Sequence, residues 1–298
     1  MQNILENLQG RQEHNQKAML FTALVLGYVG IYAIMGSGTN EDISQILKLG
    51  VVELLVIQGA LSGVFFILLP SLFISYALHY PLGKLMKPVS LPQIFYVFVI
   101  GLCAMIALSV VVEWNLTIQI PESDFQQWAQ AKEAELKILT EYIINFQSIG
   151  QFLVALVVVG VFAAIGEEIL FRGLLQNLLA SVTGNVHVAI WIAAIVFSAI
   201  HLQFYGFFPR VLLGALFGYL YLWSGKLSIA MLAHFFHNGI SLVIAFVASQ
   251  QTEGFNITPE QMDQSAPWPL VLAFLVLGIF ATVKFIKIST NDQLAESL

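Results

Sequence analysis

Eight stretches of largely apolar residues follow one another along the chain, at about 18–36, 51–79, 94–114, 147–181, 186–204, 207–224, 228–249 and 268–288. Roughly 20 such residues carry an α-helix across the hydrocarbon core of a bilayer, so the succession reads as a series of spans. The fold class expected is all-α, a polytopic membrane protein with about eight transmembrane helices. Charge agrees with this. Only 10% of the 298 residues are charged and 58% are hydrophobic, with a mean hydropathy of +0.82. Soluble domains carry roughly 25% charged and 45–50% apolar residues. Too few charges exist to coat a water-soluble globule, and no polar stretch is long enough to fold as a separate domain.

The connections are short with two exceptions. Between Asn115 and Asn145, the segment Glu122 to Tyr142 mixes Ala, Leu, Glu and Lys and contains neither Gly nor Pro, which predicts a surface helix. Gln250 to Trp268, with Gly254, Pro259 and Pro267, reads as a loop. The fourth apolar stretch exceeds a simple span and is expected to tilt, kink or project beyond the bilayer. Met1 to Lys17 lacks a short apolar core followed by a small-residue cleavage site, so the first helix is expected to direct insertion. Cys103, the single cysteine, cannot form an intrachain disulfide. The net charge of −6 gives no basic surface for nucleic acid. The expected partners are membrane lipid and a peptide or membrane-protein substrate.

Lys and Arg counts beside the helix ends set the expected orientation. The side shared by both termini collects Arg11, Lys17, Lys84, Lys87, Arg172, Lys226, Lys284 and Lys287; the other collects Lys48, Lys132, Lys137 and Arg210. Eight against four places both termini in the cytoplasm and the surface helix outside.

Ionisable residues inside spans cost at least ~2.5–3.5 kcal/mol each at the bilayer centre, so a cluster needs an explanation. Three places stand out, all in the second half of the chain: Glu167-Glu168-Ile169-Leu170-Phe171-Arg172, Phe197 to His201, and His234-Phe235-Phe236-His237-Asn238. Glu168 and Arg172 are four apart on one helical face and can pair. Glu167 is turned ~100° away and lacks that partner, so its carboxylate takes up a proton or finds a metal, water or imidazole. His234 and Asn238 project together, and His237 lies on a neighbouring face. Counted at 1.5 Å per residue, the depths of Glu167, His201, His234 and Asn238 overlap. Two chemistries fit these residues. In one, Glu167 is a general base on water, with imidazole as proton partner and an amide donating to an oxyanion. In the other, Glu167, His201 and His234 hold a zinc ion whose fourth position carries the attacking water. Both hydrolyse an acyl bond.

The three motifs E-E-x-x-x-R, F-x-x-x-H and H-x-x-x-N, in this order on membrane helices, resemble the CAAX prenyl protease and bacteriocin-processing family of intramembrane proteases. The resemblance covers roughly Gln147 to Ser249. It implies a helical membrane fold with catalytic groups in a cytoplasm-facing cavity, in a bacterial cytoplasmic membrane. It gives water activation to Glu167, with His201 and His234 in support and Asn238 at the oxyanion; Glu168 and Arg172 fall to supporting positions. His237 is expected to be structural. The family is described both as metal-dependent and as glutamate-dependent, so a divalent metal such as zinc stays open as a cofactor. The chain then divides into N-terminal helices (1–146), a protease core (147–249) and a loop with a last helix (250–298). A second reading is a non-catalytic membrane protein, either a transporter using Glu and His as a proton relay or a bacteriocin-immunity or scaffolding factor. Gly214 and Gly218, four apart, predict a close helix-packing face. Trp114, Trp223 and Trp268 suit an interfacial aromatic belt.

Overall fold

The computed structural model describes residue 27 and residues 48–77, 82–250 and 265–297. The first predicted span, 18–36, and most of the loop after Gln250 lie outside the described residues. Eight helices and no strand occur among the described residues. Helix α1 comprises Val51–Ser62, the π-helical Gly63–Leu68 and Leu69–Ala77. Helix α2 is Leu91–Leu116 and α3 is Asp124–Ile144. Helix α4 runs over Ile149–Thr183. Helices α5, α6, α7 and α8 are Val186–Ala199, Phe207–Ser224, Leu227–Ser249 and Trp268–Ser297.

Local chemistry sets the ends. Ser123 Oγ accepts the Gln126 N–H at 3.2 Å to open α3, and Ser148 Oγ accepts from Gln151 N–H at 3.3 Å to open α4. Asn185 Oδ1 accepts from both His187 and Val188 at the start of α5. Each satisfies N–H groups that a first helical turn leaves without partners. Helices α4 and α6 stop at Gly184 and Gly225, both left-handed with φ near +65°, a conformation that glycine adopts without a Cβ penalty.

Six helices (α1, α2, α4, α6, α7 and α8) are long and apolar enough to cross a membrane. Helix α5 is not: its 14 residues extend only ~21 Å. The sequence pattern carried that helix to residue 204, but it ends at Ala199 and the chain turns. Leu202 takes φ 55°, and Ser198 Oγ donates to Phe207 O at 2.7 Å across the turn.

Helix α4 is the central post. Every residue from Glu168 to Ala180 is buried, as expected of a helix enclosed on all sides. The helix is continuous over its 35 residues and holds two π-helical stretches, at Leu156–Phe162 and Ile169–Gln176. Wide turns of this kind recur at functional sites. They bracket Glu167 and Glu168. Glycines set the close approaches: a Cβ at Gly166 would stand 2.8 Å from Phe66 Cβ of α1, and one at Gly218 would stand 2.8 Å from Gln176 Oε1 and 2.9 Å from Ile190 Cγ2. A Cβ at Gly214 would stand 3.2–3.3 Å from Phe197, Ala194 and Arg172. The Gly214/Gly218 stripe of α6 is thus the packing face the spacing predicts.

A second polar cluster sits where α2, α8 and the α6–α7 turn meet. Lys226 Nζ donates to Gln93 Oε1 at 3.2 Å and to Asp292 Oδ2 at 3.5 Å, and Gln93 Nε2 donates to Ser289 Oγ at 3.2 Å. Lys226, Gln93 and Ser289 are buried. Lys226 therefore clasps the bundle from within instead of lying in the lipid headgroups.

Candidate active site

The two adjacent glutamates of α4 have different surroundings. Glu168 is fully buried. Its Oε1 accepts from Arg172 Nη1 at 2.9 Å and from His234 Nδ1, on α7, at 2.9 Å. Arg172, also buried, donates from Nη2 to Gly214 O of α6 at 2.8 Å. Its guanidinium stands 4.9 Å from the Phe197 ring and 5.6 Å from that of Phe217. The α4 pair that the i,i+4 spacing predicts is present, and it is extended by an imidazole from 66 residues away.

That third partner presets His234. With Nδ1–H donated to a carboxylate, the neutral ring carries its lone pair on Nε2. Phe217 stacks on the ring at 5.1 Å and 25° and fixes its plane. Nε2 then faces Glu167 Oε2 at 3.8 Å. This is too long for a direct hydrogen bond, yet one water at ~2.8 Å from each atom spans it. The Glu167 side chain keeps 20% of its surface exposed, whereas its neighbour keeps none. One glutamate orients the histidine; the other keeps part of its surface exposed beside it.

His201 lies in the turn after α5. Its Nδ1 donates to Phe197 O at 2.7 Å, which leaves Nε2 as the acceptor. The Phe197 ring is a shared wall, 5.0 Å from the His201 ring and 6.1 Å from that of His234. Asn238, one turn beyond His234, donates from Nδ2 to Val159 O at 2.8 Å, in the first π-helical stretch of α4. One of its two amide hydrogens is thereby used in holding α7 to α4 and the second is left over. The His237 carbonyl accepts from Ser241 Oγ, while its Nδ1 is buried without a hydrogen-bond partner.

Among the described residues, no three His, Cys, Asp or Glu side chains converge to hold a metal ion. Glu167, His201 and His234 do not form a ligand set in this arrangement. Both imidazoles do have the arrangement a metal ligand needs, one nitrogen donating to a fixed acceptor and the other turned away, but the same arrangement serves a base that holds water.

Two residues outside the motifs bear on the site. Asn115, fully buried at the end of α2, donates from Nδ2 to Phe204 O at 3.2 Å and accepts the Phe208 N–H on Oδ1 at 3.1 Å. It pins the connection that begins with His201. Arg210, on the first turn of α6, donates from Nη2 to Gln203 Oε1. Beside this connection lies an apolar pocket of about 620 Å³, walled by Trp114, Phe125, Trp128, Phe204, Phe207 and Phe208 and floored by Ser198, Ala199, Leu202 and Gln203. Neither contact has a sequence signature, because each joins residues that are distant along the chain or only one turn into a helix.

Residues 149–240 match the model of one protein family, described as type II CAAX prenyl endopeptidase Rce1-like. This is the family type whose three motifs the sequence resembles, and all three fall within the matched residues. The uncharacterized protein YpbD of Bacillus subtilis (strain 168) is 34% identical over 76 residues, which cover 24% of this chain and 35% of YpbD. The chain thus spans about a third of the length of the curated relative it matches. No solved structure matches the chain.

Proposed function

We propose that the protein is an intramembrane peptide hydrolase of the CAAX-endopeptidase type, with Glu167 as its water-activating base. The observation that carries this reading is His234, held by Glu168 through Nδ1 at 2.9 Å and turned through Nε2 toward Glu167 at 3.8 Å. The family match over residues 149–240 supports the reaction class.

In this mechanism a water molecule sits between Glu167 Oε2 and His234 Nε2. Glu167 takes one proton from it as the water oxygen bonds to the scissile carbonyl carbon. The carbonyl electron pair moves to oxygen, and the second amide hydrogen of Asn238 donates to that developing charge. His201 presents Nε2 on the other side of Phe197 and steadies the attacking water or the leaving nitrogen. Collapse of the tetrahedral intermediate breaks the C–N bond. Glu167 returns its proton to the departing nitrogen, and the products are a carboxylate and an amine. Glu168 and Arg172 touch no reacting atom; they set the tautomer and plane of His234. These steps use water, Glu167, the two imidazoles and Asn238.

The substrate is a peptide or membrane protein reached within or beside the bilayer. Arg172 lies inside α4, paired with Glu168, and is no loop residue. Without it and the buried Lys226 the Lys and Arg count is six against four, still in favour of cytoplasmic termini in a bacterial cytoplasmic membrane. The test is cleavage of a membrane-peptide pool by the purified protein in detergent, read by mass spectrometry, with wild type beside His234→Ala. Turnover that survives the loss of that imidazole would defeat the mechanism.

A further inference from the structure

The catalytic residues sit between a closed half of the bundle and an open one. One face of the bundle carries the start of α1, the end of α2, α3 and the start of α4. There Tyr142 Oη, in the last turn of α3, donates to Leu49 O at 2.8 Å, and Gln250 Nε2, just past α7, donates to Phe146 O at 3.2 Å. Asn115 ties the turn that holds His201 to this same face. The opposite face carries the α6–α7 turn and the end of α8. Gln293 Nε2 donates there to Trp223 O at 3.1 Å, and the Leu227 N–H donates to Leu85 O at 2.8 Å.

Burial changes at the level of the two glutamates. Toward the α8 end, every residue of α4 from Glu168 to Ala180 is buried, the polar Arg172, Gln176 and Asn177 among them. Toward α3, only Ala155, Val158, Gly160, Ala164 and Gly166 are buried between Ile149 and Glu167. Helix α7 divides at the same level. Six of the eight residues from Leu227 to His234 are buried, against three of the fifteen from Phe235 to Ser249. Apolar residues on the open half can meet lipid, but one stripe of α7 is polar. His234, His237, Asn238 and Ser241 stand at i, i+3, i+4 and i+7 and share a face. At its far end the exposed Ser241 donates from Oγ to His237 O at 2.9 Å. Imidazole, amide and hydroxyl groups are costly against hydrocarbon, so this stripe lines a hydrated approach that runs from His234 toward α3.

We propose that substrate enters the catalytic centre from the α3 face, opposite the C-terminal end of α8, and that this face is extracytoplasmic. The orientation follows from the Lys and Arg count of six against four, which puts the end of α8 in the cytoplasm. Cytoplasmic termini and a cytoplasm-facing cavity, both expected from the sequence, exclude one another in this fold, because the half of the bundle beside the α8 end is closed. The substrate class is then a membrane protein or peptide whose scissile bond lies in the outer half of the bilayer or outside it. The word substrate rests on the hydrolase reading; the route does not.

The experiment places single cysteines in the full chain, with Cys103→Ala as background. Lys137→Cys reports α3, Ser241→Cys and His237→Cys report the polar stripe, and Asn291→Cys reports the end of α8. Lys137, Ser241 and Asn291 are exposed. Spheroplasts are treated with a membrane-impermeant cationic thiosulfonate, and the thiols that remain are tagged with PEG-maleimide after lysis and read by gel shift. The thiosulfonate is expected to block Lys137→Cys, Ser241→Cys and His237→Cys in intact spheroplasts, and Asn291→Cys only after permeabilisation. Stripe cysteines that react only together with Asn291→Cys, or that stay silent where Lys137→Cys reacts, would overturn the route. Blocking of Asn291→Cys but not Lys137→Cys in intact spheroplasts would overturn the extracytoplasmic assignment. In detergent, a PEG-maleimide adduct on Ser241→Cys is expected to abolish cleavage of the membrane-peptide pool, whereas the same adduct on Asn291→Cys leaves it intact. Undiminished cleavage by the Ser241 adduct would also overturn the route. No cleavage before labelling would remove the hydrolase reading, and the accessibility pattern would still decide the route.

Discussion

Glu167→Gln and Glu168→Gln are the same change at adjacent positions, and the structure separates their consequences. Glu168 is 0% exposed and Arg172 1% exposed, and one carboxylate oxygen takes two donors at 2.9 Å. Neutralising Glu168 leaves a buried guanidinium without its counter-charge, with only an amide oxygen, Gly214 O and aromatic faces around it. Breaking a buried pair in this way costs about 3–5 kcal/mol. Glu167 keeps 20% of its side chain exposed and stands 3.8 Å from its nearest ionic partner, so its amide variant is expected to stay within about 0.5 kcal/mol of wild type. Reversible unfolding in mixed micelles, followed by the fluorescence of the five tryptophans, measures both. The double variant Glu168→Leu, Arg172→Leu removes both charges and is expected to lose less stability than the sum of the two single changes. Equal stabilities for the two glutamine variants, or strict additivity in the double variant, would refute the division of labour between the glutamates.

Other outcomes follow from single contacts. Gly218→Ala puts a Cβ 2.8 Å from Gln176 Oε1 and 2.9 Å from Ile190 Cγ2 and is expected to cost about 1–3 kcal/mol by overpacking the α4–α5–α6 contact, on the same unfolding assay. Asn238→Ala removes an oxyanion donor and the bond to Val159 O. It is expected to lower kcat by ~10²–10³ with a smaller change in KM; a change in KM alone, from steady-state kinetics, would contradict its role. Exhaustive chelation is expected to leave turnover intact, since the proposed steps use Glu167 as the base and the imidazoles as its support. Loss of activity that zinc restores would instead make Glu167, His201 and His234 ligands.

Much of the fold was legible because lipid imposes length: every described helix lies on a predicted apolar or amphipathic segment. Where reading failed, the cause was tertiary. Helix α5 ran on to residue 204 in the pattern because Leu202, Phe204 and Tyr205 are apolar, whereas the turn is fixed by Ser198 bonding to Phe207 and by Asn115 from another helix. The Glu168–Arg172 pair was readable from i,i+4 spacing. Its sharing with His234 was not, since helical periodicity says nothing of contacts between helices 66 residues apart. The same holds for Lys226, which counts as an interfacial charge in sequence yet closes a buried cluster with Gln93 and Asp292. The length of α4 was read as tilt, kink or projection, and the structure holds two π-helical stretches, which no residue pattern announces.

The central claim is that Glu167 activates water for peptide hydrolysis. Its most direct test is cleavage of a mixed membrane-peptide pool by wild type and by Glu167→Gln in detergent, with products identified by mass spectrometry. The account predicts defined cleavage products from wild type and none from Glu167→Gln, with the variant as stable as wild type. The same products from both proteins, or none from either, would contradict it.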